Sequence, residues 1–152
     1  MVTIVGKEVT IQALLYDLIE LDYDAIAAYD AAIKRLDDAA FKQALTEFRA
    51  DHARHTQNLA PFLREMGSVV PEAGNAKALL TSGKVVFANL FGDNAILEAM
   101  RTNEDDTNTA YARAVEHPDA TMEIRRVLEE NLADERRHCS WILNALGRTS
   151  AQ

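Results

Sequence analysis

The chain has 152 residues, 48% of them hydrophobic, a formal charge of −8 and a single cysteine, Cys139. That length suits one buried core, so a single domain over residues 1–152 is expected. The acidic balance excludes the clustered Lys and Arg that nucleic acid or an anionic membrane requires, and one cysteine excludes an intramolecular disulfide. No apolar run approaches the ~20 residues of a bilayer span. The N-terminal Met-Val-Thr-Ile-Val-Gly-Lys-Glu has no charged stretch leading into a sustained apolar one, so a soluble, cytoplasmic protein is expected.

Three prolines and six glycines fall mostly between long periodic segments, the pattern of an all-α chain. After a short arm and a cap at Thr10, a stripe of Leu15, Leu18, Asp22, Ile26, Tyr29, Ile33 and Leu36 predicts helix 1 over about 11–36. Asp37 and Asp38 offer the next cap. Helix 2, over about 39–66, carries Leu45, Phe48, His52, His55, Leu59, Phe62 and Met66 on one face, with Pro61 kinking its last turn and Gly67 stopping it. Residues 67–93 break the rhythm, and so long a link between long helices is expected to cross the whole molecule. Its apolar Val85, Val86, Phe87, Leu90 and Phe91 predict a short extra helix that plugs one end of the bundle or meets a second copy in a homodimer. Asp93 is expected to cap helix 3 (about 94–116), whose stripe is Leu97, Met100, Glu104, Asn108, Tyr111 and Val115. Pro118 opens helix 4 (about 119–146), and Gly147 ends it.

Helix 4 holds the oddity. Glu135 and His138, three residues apart, share a face with Leu128, Leu132, Ile142 and Leu146, so a carboxylate and an imidazole point into the protein. A buried carboxylate costs several kcal/mol unless a cation or donor answers it. The two halves of the chain also match. Asp22 precedes Tyr29 by seven residues and Glu104 precedes Tyr111 by seven, and His55 and His138 follow the two carboxylates by 33 and 34. This is a duplicated helix hairpin, its copies joined by the long crossover.

On these residues, over roughly 11–146, the sequence resembles the ferritin-like superfamily, most closely the rubrerythrin type and its bacterial relatives. The resemblance implies a four-helix bundle of two hairpins with a di-metal carboxylate site in its core. That family's pattern is a Glu followed by a Tyr on helices 1 and 3, and Glu-x-x-His on helices 2 and 4. Glu104, Tyr111, Glu135 and His138 match it. Asp22 stands where the family has Glu, and His52 stands where the second bridging Glu belongs, leaving His52-Ala-Arg-His55.

The implied ligands are therefore Asp22, His52, His55, Glu104, Glu135 and His138, with Tyr29 and Tyr111 orienting them. The implied cofactor is a pair of divalent ions, iron by resemblance and Zn or Mn as alternatives, with no organic cofactor. The implied chemistry is that of a di-iron oxidoreductase or ferroxidase acting on dioxygen or peroxide. The competing reading is a non-catalytic structural or stress-associated bundle with a degenerate site. There Asp22 would bond to His52 or His55, and Glu104 would accept from Tyr29 or Tyr111. Asp51 and Glu47 lie on neighbouring rows. His117, Glu20, Asp24, Asp105, Asp106 and Glu130 are expected on the solvated surface, Cys139 as a small buried residue, and Arg125, Arg126, Arg136 and Arg137 in surface ion pairs.

Overall fold

The structure, a computed structural model, describes residues 3–73, 87 and 89–149. Four helices account for most of them: α1 (Ile11–Ile33), α2 (Ala39–Glu65), α3 (Asp93–Val115) and α4 (Met122–Thr149), with no strand among the described residues. The protein is an all-α four-helix bundle. α1 packs along α2 and α3 along α4, while the hairpins meet through α1 against α3 and α2 against α4. This leaves α2 and α3 on a diagonal.

Polar groups at the helix ends fix these bounds. Thr10 accepts from Ala13 N, Asp38 from Phe41 N, and Thr121 from Ile124 N, each answering an orphan first-turn amide. Thr121, not Pro118, therefore starts α4, and residues 117–120 close a turn through Ala120 N to His117 O. α2 stops at Gly67, whose φ of 66° accommodates paired bonds from Gly67 N to Arg64 O and Ser68 N to Leu63 O. Gly147 stops nothing. α4 runs through it to Thr149.

Asp93 does not cap α3 either, because Gly92 occupies the cap position without a side-chain bond. Its carboxylate instead accepts from Asp37 N at 2.7 Å and Asp38 N at 2.9 Å, tying the start of α3 to the α1–α2 turn. That tie has a topological consequence. α3 begins beside the start of α2, so Glu65 and Asp93, the ends of the link, lie about the length of α2 apart, about 40 Å for its 27 residues.

Of the short helix expected over 85–91, residues 85, 86 and 88 lie outside the described ones, and 89–91 are not helical. Of its apolar residues that are described, Phe87 is buried in the core and Leu90 packs against it, whereas Phe91 is 88% exposed. The apolar patch expected to meet a second copy is thus partly consumed by the chain's own core.

Two apolar clusters fill the bundle, one on either side of a central polar layer. One contains Leu14, Leu15, Leu18, Leu59, Leu63, Leu128 and Leu132, the other Leu45, Phe48, Leu97, Met100 and Ile142. Each such side chain contributes about 1.5–3 kcal/mol on burial, and together they hold the polar layer in register. The face of α1 is rotated from the expected stripe: Ala25 and Ala32 are buried while Ile26 and Ile33 are only half-buried. Small residues there let α1 approach its neighbours closely.

The arm before α1 is clamped onto α3. Thr3 N donates to Asp106, and Arg113 donates to the carbonyls of Thr3 and Val5. Gly6 crosses Arg113 at φ 97°, where an added Cβ would lie 2.5 Å from that side chain. His117, expected at the surface, is buried at 6% exposure, with Nε2 3.2 Å from the Glu8 carbonyl.

Two other surface expectations change, and so does one interior expectation. Arg125 donates to the carbonyls of Val115 and His117 rather than to an acid. Asp24 is half-buried with Oδ1 unbonded, and Cys139 is only half-buried.

Candidate metal centre

Each helix brings its polar residues to the middle of an otherwise apolar face. Asp22 of α1, His52 and His55 of α2, Glu104 of α3, and Glu135 and His138 of α4 are all at 0% exposure. All six expected ligands meet in one layer. They form two overlapping groups, Asp22–His52–His55–Glu135 and His52–Glu104–Glu135–His138, the atoms within each group lying within 4.8 Å of one another.

A pseudo-twofold relation governs the layer, as the sequence repeat requires. Tyr29 of α1 donates to Glu104 Oε1 of α3 at 2.7 Å, and Tyr111 of α3 donates to Asp22 Oδ2 of α1 at 2.6 Å. His138 presents Nδ1 inward to Glu104 Oε2 at 3.2 Å, and His55 presents Nδ1 inward at 3.4 Å from Asp22 Oδ1 and 3.3 Å from Glu135 Oε1. Their outer nitrogens cross the bundle: His55 Nε2 lies 3.1 Å from Asp134 of α4, and His138 Nε2 lies 2.9 Å from Asp51 of α2.

Asp51, expected on a neighbouring row, and Asp134, which stripe counting passed over, thus support the two histidines from outside the layer. Arg54 and Arg137 each bond to both carboxylates at 2.6–2.9 Å, closing the α2–α4 face over the histidines. The signal was there as a repeated Asp-x-x-Arg-His, at 51–55 and 134–138. It lies one row off the apolar stripe, which is why a search for core-facing residues passes it. Glu47 is exposed and accepts from Gln43 instead.

His52 breaks the symmetry. Its Nδ1 is 2.8 Å from Asp22 Oδ1 and 3.6 Å from Glu135 Oε1, and its Nε2 is 3.4 Å from Glu104 Oε1. Burial works against a charged ring, but Glu135, Asp22 and Glu104 outweigh it and hold the His52 pKa well above the ordinary value. His55 behaves alike: against burial, Asp134, Asp22 and Glu135 raise it to about 10. Conversely, against burial, the His52 bond and the nearby His55 ring hold Asp22, and bonds from His138 and His52 hold Glu104, below the usual carboxylate range. Burial, with Glu104 and Asp22 beside the two phenols, keeps Tyr29 and Tyr111 protonated.

Of the three fully buried carboxylates, Glu135 is the one that this network answers only by charge, through the His55 and His52 rings 3.3 and 3.6 Å away. Among the described residues, neither oxygen of Glu135 has a hydrogen-bond partner, nor does the facing His55 Nδ1. A buried carboxylate left so costs several kcal/mol, which a divalent cation would offset. The donor set, oxygen and imidazole without thiolate, fits such an ion.

Fold and site together define an all-α bundle with a central His/Asp/Glu cluster able to hold metal. Residues 10–117 match the model of the family described as "Domain of unknown function (DUF2383)", and the chain belongs to that family. The match takes in α1–α3 and ends before Glu135 and His138. Neither the curated proteins nor the solved structures hold a match.

Proposed function

We propose that the protein is a ferritin-like di-metal carboxylate protein of rubrerythrin type. The observation that carries this reading is Glu135, a fully buried carboxylate with both oxygens unbonded, facing an unbonded His55 nitrogen. Asp22 and His55 would hold one ion and Glu104 and His138 the other, with Glu135 between them. Divalent iron bound there would supply one-electron chemistry toward dioxygen or peroxide, with Mn or the redox-inert Zn as alternatives. Tyr111 and Tyr29 orient Asp22 and Glu104, and Asp134 and Asp51 fix the outer nitrogens of His55 and His138, so each ring keeps Nδ1 free to bind. The homodimer and the cytoplasmic location belong to the same proposal, the exposed Phe91 being the apolar group that supports a contact.

A second reading, the non-catalytic bundle, is favoured by His52 alone. Its ring lies among all three carboxylates and, when protonated, answers part of their charge without any metal. Thermal melts of wild type and His52→Glu, each with and without ferrous ion under anaerobic conditions, separate the two. The di-metal site predicts that His52→Glu binds Fe²⁺ or Mn²⁺ more tightly, and that oxygen then produces an oxo-bridged absorption band. A variant that melts lower and gains nothing from metal leaves the structural bundle.

A further inference from the structure

The two ring nitrogens of His52 face different halves of the cluster. Nδ1 lies 2.8 Å from Asp22 in the group with His55 and Glu135, and Nε2 lies 3.4 Å from Glu104 in the group with His138 and Glu135. The contrast with the other two histidines is informative. His55 and His138 each turn one nitrogen inward and spend the other on an outer carboxylate, Asp134 or Asp51, the arrangement of a ligand to a single ion. Among the described residues His52 has no outer partner. Both of its nitrogens point to would-be ligand atoms, and the ring is at 0% exposure.

Resting on the reading that this cluster holds metal, the geometry points to His52 as a bridging imidazolate, binding one ion through Nδ1 and a second through Nε2. Charge argues the same way. Asp22, Glu104 and Glu135 carry three negative charges against two divalent ions, which leaves an excess positive charge in a site sealed from water. Metal binding at both nitrogens displaces both ring protons to solvent and leaves the ring with one negative charge. The cluster then becomes neutral. His52 thereby replaces a missing fourth carboxylate in charge as well as in place, and it shifts the preferred ions from hard ones toward Zn²⁺ and Cu²⁺, which take imidazole readily.

The metal-stripped full chain titrated with Cu²⁺ tests this, with bound copper measured by elemental analysis after dialysis and unpaired spins by electron paramagnetic resonance. Two coppers per chain are expected, with a spin count below half the copper count because the imidazolate couples the ions. Glu135→Gln should keep that coupling in whatever dicopper form it makes, and His52→Gln should lose it. Histidine ¹⁵N resonances of the Zn²⁺-loaded wild type give the same answer without a variant: one ring should show both nitrogens metal-bound and no N–H. Two coppers with a full spin count, or a Zn²⁺ form in which every ring keeps an N–H, would overturn the bridge and leave the metal site standing. A single bound ion would also overturn it. Failure to bind Cu²⁺ or Zn²⁺ at all would remove the bridge and the metal reading together.

Discussion

At the scale of single residues, the tyrosines illustrate how a repeat becomes unequal. Tyr29 and Tyr111 make equivalent bonds to Glu104 and Asp22, but the Tyr111 hydroxyl also accepts from Asn131 Nδ2 at 3.4 Å, a side chain at 1% exposure. Removing a hydroxyl that donates to a buried carboxylate costs about 1.5–3 kcal/mol. Tyr29→Phe in the metal-stripped protein is expected to lose that amount, and Tyr111→Phe more, because it strands Asn131 as well as Asp22. Urea unfolding measures both, and a smaller loss for Tyr111→Phe would contradict the assignment. Each tyrosine position was legible in the sequence as a repeat seven residues after a carboxylate. Which tyrosine served which carboxylate was not, since the bonds cross between α1 and α3 and periodicity speaks only within a helix.

Among the helices, termini carried most of the differences between expectation and structure. Local chemistry identified Thr10, Asp38 and Gly67 correctly as cap residues because each acts within a few residues of itself. Asp93 looked equally like a cap, yet its carboxylate is used 55 and 56 residues away, on the amides of Asp38 and Asp37. Gly147 looked like a stop and lies inside α4, with open space where a Cβ would be. A glycine inside a helix without a close neighbour costs about 0.5–1 kcal/mol relative to alanine. Gly147→Ala should therefore stabilise the protein by that amount, read as a raised denaturation midpoint; an unchanged or lowered midpoint would mean that the helix ends earlier.

For the molecule as a whole, the central layer sets an unusual pH dependence. His52 and His55 titrate above their ordinary value of 6.5 when folded, so their contribution is complete below 6.5 and lost as pH rises, for His55 through about 10. Asp22 and Asp51, held low, contribute above their ordinary 3.8 and lose that contribution as pH falls through their folded values. Asp17 and Asp24, raised to about 6 chiefly by burial, have the opposite sign and make stability fall as pH rises from 3.8 to 6, because the unfolded chain releases those protons first. The metal-free protein should thus be most stable in mildly acidic solution and weaken steadily toward pH 10. Metal has the opposite sign, because ions compete with protons for the imidazoles and bind better as pH rises. Calorimetry across this range, with and without Zn²⁺, should show a metal-induced rise in melting temperature that grows with pH, and a rise that shrinks with pH would speak against histidine ligands.

Helical periodicity by itself determined that the chain forms an all-α bundle of two related hairpins. It also brought Asp22, His52, His55, Glu104, Glu135 and His138 onto inward faces, because amphipathic spacing is a local property that each helix carries alone. Only the tertiary structure decided what those faces meet. Residue spacing does not measure distance between helices, so three findings waited for it: the crossed tyrosine bonds, the Asp51 and Asp134 supports one row off the stripe, and the setting of His52. In sequence, His52 is a missing carboxylate. In the bundle, α1, α3 and α4 converge on opposite edges of its ring, and their packing rather than the motif determines which groups its two nitrogens face.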